Sequence, residues 1–136
     1  MPDETMPLVL SMVVCHEVRQ NPDADAVDII GEFHALGVEH FPCHVPMLAI
    51  YVQLGDASRS FTAHIVCVRT RDDAPIFASR DHLLQFRSRL EVVRAVFTIR
   101  DCPFPEAGEY SMQLWLNGAF VTERRFHAVR IAEEDQ

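Results

Sequence analysis

The sequence predicts an all-β fold: an antiparallel immunoglobulin-like or fibronectin-like β-sandwich of about seven to eight strands. Three observations carry that expectation. Runs of alternating apolar residues recur with a turn signal every ~8 to 15 residues, the spacing of sandwiches. Phe104-Pro-Glu-Ala-Gly108-Glu-Tyr110 reads as a corner feeding a strand, a place where a tyrosine can bury its ring and return its hydroxyl to upstream backbone. Asn117-Gly118 then supplies the preferred pair for a two-residue hairpin turn, because both central residues need positive φ.

Each element follows from local pattern. Leu8, Leu10, Met12 and Val14 hold even positions against Ser11, Glu17 and Arg19 on odd ones, which predicts a first strand over residues 8–18. On that parity His16 shares the apolar face as a satisfied core imidazole, and Cys15 points the other way. Asn21-Pro22-Asp23 supplies turn chemistry, and the alternation of Ile29, Gly31, Phe33 and Ala35 predicts a returning hairpin strand. Phe41-Pro42-Cys43-His44-Val45-Pro46 is a connection, since its two prolines suit neither a helix interior nor a central strand. Leu48, Ile50, Val52 and Leu54 predict the next strand, ended by Gly55-Asp56, and Phe61, Ala63, Ile65 and Cys67 predict a central one.

Residues 81–92 satisfy two periods, so a helix there stays open beside a short strand near Leu83 to Phe86. The β-branched residues Val92, Val93, Val96, Thr98 and Ile99 favour strand over residues 91–100. Tyr110, Met112, Leu114 and Leu116 share one face of the penultimate strand, with Trp115 on the other. Pairing through the Asn117-Gly118 turn leaves Phe126 and Ala128 on the wrong parity, which predicts a β-bulge within residues 122–125.

With 136 residues the chain suits one domain over positions 1–136, frayed at about 1–6 and 132–136. A formal charge of −8 opposes a phosphate backbone, so no nucleic-acid partner is expected. All 12 basic residues are arginine, which excludes a P-loop lysine, a Schiff-base lysine and a Ser-Lys dyad. No apolar run is long enough for a membrane span, and the Met-Pro-Asp-Glu start lacks a basic signal-peptide region. A soluble, cytoplasmic protein without a membrane partner is therefore expected. In that setting the 4 cysteines, Cys15, Cys43, Cys67 and Cys102, should be free thiols, most of them buried. The cysteine pair and packed tryptophan of antibody-type domains are missing.

Taken in order, Cys15-His-Glu-Val18, Ile30-Gly31-Glu-Phe33, Phe41-Pro42, Leu48-Ala-Ile-Tyr51 and Phe104-Pro-Glu-Ala-Gly108-Glu-Tyr110 give the chain its likeness. It resembles an uncharacterised family of small bacterial immunoglobulin-like β-sandwich proteins, a domain of unknown function, over nearly its whole length. The resemblance implies the sandwich fold and brings no activity, cofactor or catalytic residue.

The densest group of metal-ligand types is His40-Phe-Pro-Cys43-His44, to which His16, His64 or Asp56 would add a fourth donor. Its spacing matches no established zinc motif, so His40, Cys43 and His44 are weak candidates and no metal or cofactor is assigned. Asp23, Asp25 and Asp28 lack the glycine and bidentate glutamate of a calcium loop and read as a solvated turn. No catalytic residue is assigned. Tyr110, Gly108, Asn117 and Gly118 are assigned structural roles, and Tyr51 and Trp115 a possible interface. Together with Cys15, Val66 and Val68 they would give the outer sheet faces an apolar excess. The reading is a non-enzymatic module that binds a protein partner or self-associates. The alternative is a small metal-dependent or ligand-binding enzyme built on residues 40–44.

Overall fold

The period-2 runs become strands that pack face to face in the computed structural model, which describes residues 6–23 and 26–131. They are β1 (Leu8–Asn21), β2 (Ala26–Glu32), β3 (Ala35–Val38), β4 (Cys43–Gly55), β5 (Ser60–Arg69), β6 (Ala74–Ala78), β7 (His82–Gln85), β8 (Val93–Phe104), β9 (Gly108–Leu116) and β10 (Ala119–Arg130). One sheet has the order β2-β1-β4-β8 and the other β3-β10-β9-β5-β6, with β7 also on β5. The neighbours β1, β4 and β8 take the places of the A, B and E strands of an immunoglobulin sandwich, and β5, β9 and β10 those of C, F and G. The protein is thus an all-β, immunoglobulin-like sandwich. Its strand count exceeds the seven or eight expected because β3, β6 and β7 are short strands of 4 or 5 residues. Residues 81–92 resolve to β7 followed by a loop, and no helix occurs among the described residues. Asp25 of the acidic turn, and the chain ends 1–5 and 132–136, lie outside the described residues.

The core is the set of inward residues that alternation marked. Leu48, Ile50, Val52 and Leu54 from β4 meet Phe61, Ala63, Ile65 and Cys67 from β5, all at most 1% exposed. Phe126 sits at its aromatic end, with ring centroids 5.6 Å from Phe33, 6.0 Å from Phe104 and 6.1 Å from Tyr110. Tyr110 is fully buried, and its hydroxyl donates to the Glu106 carbonyl at 2.7 Å. That bond spans four residues of the turn that carries Gly108, so ring burial and corner geometry reinforce each other. At the other end of β9, Asn117 and Gly118 take φ of 51° and 78° and pair Ala119 with Leu116. Asn117 also accepts the Thr62 N–H on its side chain and donates its own N–H to the Thr62 carbonyl, which docks the hairpin turn onto β5.

Five expectations need correction. Residues 43–46, expected in a connection, are the first residues of β4, where Cys43, His44 and Val45 pair with Phe104, Pro103 and Cys102 of β8; Pro46 is tolerated because that stretch has a free edge among the described residues. The bulge of β10 lies at Val121, between Phe120 and Thr122, one residue before the predicted window; it still returns Phe126 and Ala128 to the core. In β1 a second bulge, between Val9 and Ser11, reverses the parity of the first residues. Val9 packs on the core, whereas Leu8 and Leu10 are 58% and 48% exposed. His16 is exposed and not a core imidazole, because β1 leaves β4 after the Cys15 and Ala49 pair. Finally, Phe33 and Ala35 do not extend the hairpin strand: Ala35–Val38 crosses to the other sheet and pairs parallel with His127–Arg130.

Candidate binding cleft

The departure of β1 from its sheet shapes both the buried and the open parts of the surface. Beyond Cys15 the strand pairs only with β2, and the hairpin tip residues Gln20, Asn21, Pro22, Ala26 and Val27 border one hollow with Tyr51 and Val96. The hairpin therefore curls over the outer face of the β1–β4 pair, where Cys15 of β1 and Ala49 and Tyr51 of β4 are at most 6% exposed. Tyr51, expected at an interface, consequently presents little surface; its hydroxyl accepts a hydrogen bond from Gln53 at 2.9 Å. Val68 is also buried, between Pro75 of β6 and Ser111 of β9. Of the supposed outer apolar set only Val66 and Trp115 remain partly exposed.

The same departure opens a cleft. With β1 gone, Cys43–Leu48 of β4 pairs with β8 on one edge and with no strand on the other, among the described residues. Across the gap stands β3, which among the described strands pairs with β10 alone. Between them lies a cleft of about 590 Å³. Leu36, Val38, Val45 and Met47 line its apolar part, and His16, Glu17, Glu39, His40, Cys43 and His44 its polar rim.

Close packing sets the rim histidine of β1. Gly31 has φ of 70°, and a Cβ there would lie 2.6 Å from His16 Cδ2, so the absence of a side chain lets the imidazole lie against the β2 backbone. Its ring also packs 5.0 Å from Phe33. His40 and His44 are exposed and Cys43 is half-buried. Burial pushes the Cys43 thiol up, and neighbouring Cys102 adds to the shift, so the thiol is protonated and a weak ligand or nucleophile near neutrality.

The structure thus brings His16, His40, Cys43 and His44 to one cleft without converging them. Among the described residues no three His, Cys, Asp or Glu side chains are grouped so as to hold a metal ion. The other proposed donors lie elsewhere. His64 stacks on Trp115 at 6.2 Å with an interplanar angle of 16°, on the outer face of β5 and β9, and Asp56 bonds Arg89 after β4. Trp115 gives its indole N–H to Gln113, and Phe120 meets it edge-on. Sequence reasoning missed the apolar wall of the cleft, Leu36, Val38 and Met47. The signal was the alternation of Leu36 and Val38, which reads as strand only once β10 is seen to lie beside it.

Fold and cleft define a β-sandwich with a lateral gap between two strand edges that are unpaired among the described residues. The chain belongs to a family of unknown function, DUF6941, whose profile matches residues 10–129. A comparison with curated proteins found no match. Among solved structures it is similar to an immunoglobulin-like protein from Pseudomonas aeruginosa, at 11% identity and a TM-score of 0.42, over 94% of this chain and 100% of that one. It is also similar to part of an alkylpurine DNA glycosylase from Pseudomonas fluorescens, bound to DNA with an abasic-site analogue. That match has 12% identity and a TM-score of 0.44, covering 86% of this chain and 30% of the glycosylase.

Proposed function

We propose that the protein is a non-enzymatic binding module that takes up an extended segment of a partner protein by strand addition in the cleft between β3 and β4. The observation that supports this reading is the unpaired edge of Cys43–Leu48, whose flanking space of about 590 Å³ is walled by Leu36, Val38, Val45 and Met47. Backbone groups on such an edge give affinity to an added strand, and alternate side chains entering an apolar wall give it selectivity. Pro46 contributes no N–H, so the edge is read from the residues around it. Glu39 at the rim favours a segment with an arginine or lysine beside its apolar residues, whereas Glu17 already pairs with Arg19.

A peptide-display selection against the whole protein tests the reading. Enriched peptides should alternate apolar residues, carry a basic flank and lose at least about tenfold in affinity to Met47→Glu, a half-buried wall position. Bound peptide should also slow amide exchange in residues 43–48. Selected peptides that bind Met47→Glu normally, or that protect the Trp115 face instead, would discard the proposal.

A further inference from the structure

At the lateral edge opposite the β3–β4 cleft a second gap separates the sheets, between β8 and the link from β6 to β7. Its volume is about 540 Å³. Phe77 of β6 and Phe97 of β8 give it an apolar floor, and Arg80, His82, Thr98 and Arg100 stand around it. Local bonding sets the link. Ser79 donates its N–H to the Ile65 carbonyl at 2.8 Å and accepts the Ile65 N–H on its hydroxyl at 2.9 Å, which ties it to β5. The same hydroxyl donates to the Arg80 carbonyl at 3.0 Å and so fixes the backbone of that residue. His82 pairs with buried Ala63, and its ring lies 4.4 Å from that of Phe97. It is half-buried, and its ring nitrogens have no hydrogen-bond partner among the described residues.

The charge of this gap is one-sided. No Asp or Glu lines it among the described residues, and Asp81, beside Arg80 in sequence, stands 3.8 Å from His64 Nδ1. In the hollow beside Tyr110, by contrast, Arg69, Arg71 and Arg125 are bonded to Asp72, Glu106 and Glu123. Arg80 and Arg100 make no side-chain hydrogen bond or ion pair with a described residue. In a chain of formal charge −8, two such guanidinium groups around one gap favour an anion there.

We propose that the gap between β8 and the β6–β7 link is a binding site for a small phosphate monoester with a planar apolar body. Arg80 and Arg100 take the phosphate oxygens by paired N–H bonds, which a planar guanidinium fork makes well. The Thr98 hydroxyl and a His82 N–H are further donors. The apolar body lies against half-buried Phe77, between the sheets. The site shares no residue with the cleft between β3 and β4.

Phenyl phosphate is the probe, with phenol, benzoate and inorganic phosphate beside it, in backbone-amide NMR titrations of the whole protein. Phenyl phosphate should shift residues 77–82 and 97–100 saturably, with a Kd below about 1 mM. Inorganic phosphate, which lacks the ring, should act on the same residues at least about tenfold more weakly. Arg80→Gln and Arg100→Gln, both at exposed positions, should each weaken phenyl phosphate at least about tenfold, whereas Arg87→Gln, outside the gap, should not. Unchanged affinity in either of the first two variants, shifts centred on residues 69–71, or no saturation by about 10 mM would overturn the site. Equal binding of phenol or benzoate would overturn the choice of phosphate, and equal binding of inorganic phosphate that of the apolar body.

Discussion

The hairpin β9–β10 and the opening segment β1–β3 meet where Phe126 packs on Phe33, yet they are held in place by different means. In the hairpin the decisive contacts are local. Asn117 and Gly118 turn the chain in two residues, and Tyr110 bonds a carbonyl four residues upstream. In the opening segment they are remote. Val9 is turned inward by a register shift against Leu54, Gly31 receives the ring of His16 from another strand, and β3 lies along the last residues of β10. The difference teaches where a recognition feature can arise: the cleft lies beside the segment whose path neighbours decide, and the hairpin contributes the strand, β10, on which β3 is held.

The largest effect should come from the ring shared by both regions. Phe126→Ala is expected to lower stability by about 3 to 5 kcal/mol in urea denaturation, since a fully buried ring leaves a cavity among Phe33, Phe104 and Tyr110. Phe33→Ala, at the core margin, should lower it less; an equal or greater loss would mean that the opening segment is the more tightly held.

Next in size is Gly31→Ala, expected to lose about 1 to 3 kcal/mol because a Cβ meets His16 and the residue must keep a positive φ. Adding His16→Ala should restore the part due to the clash. No loss in the single variant would show that the His16 ring does not need the bare β2 backbone at Gly31.

Tyr110→Phe should lower stability by about 0.5 to 1.5 kcal/mol, the range for one hydrogen bond, and leave peptide binding in the cleft unchanged. Unaltered stability would show that ring burial alone makes the corner.

The smallest effect concerns the charges beside that corner. A hydrogen bond from Arg69 holds Asp72 below the ordinary carboxylate range, and one from Arg71 does the same for Glu106. Depressed folded-state values mean that their contribution is present above the ordinary carboxylate range and is lost as pH falls through the folded values. Acid melts should therefore show a small loss of melting temperature below about pH 4 that Arg71→Ala reduces and high salt weakens, as for exposed pairs. The same pH response in Arg71→Ala would assign the loss to other carboxylates.

Much of the scaffold was legible because its causes are short in sequence. Alternation marked Leu48 to Leu54 and Phe61 to Cys67 as core, and the parity conflict at Phe126 demanded a bulge that exists at Val121. The cleft was half legible. His40, Cys43, His44 and His16 stood out as reactive types, but nothing local revealed that β3 would stand across from them or that their side chains would remain spread along a rim. Tyr51 was misplaced for the same reason: its alternation was read correctly, and a hairpin from elsewhere covered it.

The sequence by itself determined the β class, the inward faces of the central strands, the Tyr110 corner and the Asn117-Gly118 turn, because period-2 burial and backbone φ preferences act within a few residues. Only the tertiary structure decided the sheet to which β3 belongs, the exposure of His16 and the burial of Tyr51. Those outcomes depend on which distant strand leaves or fills an edge, a choice made by the packing of whole sheets.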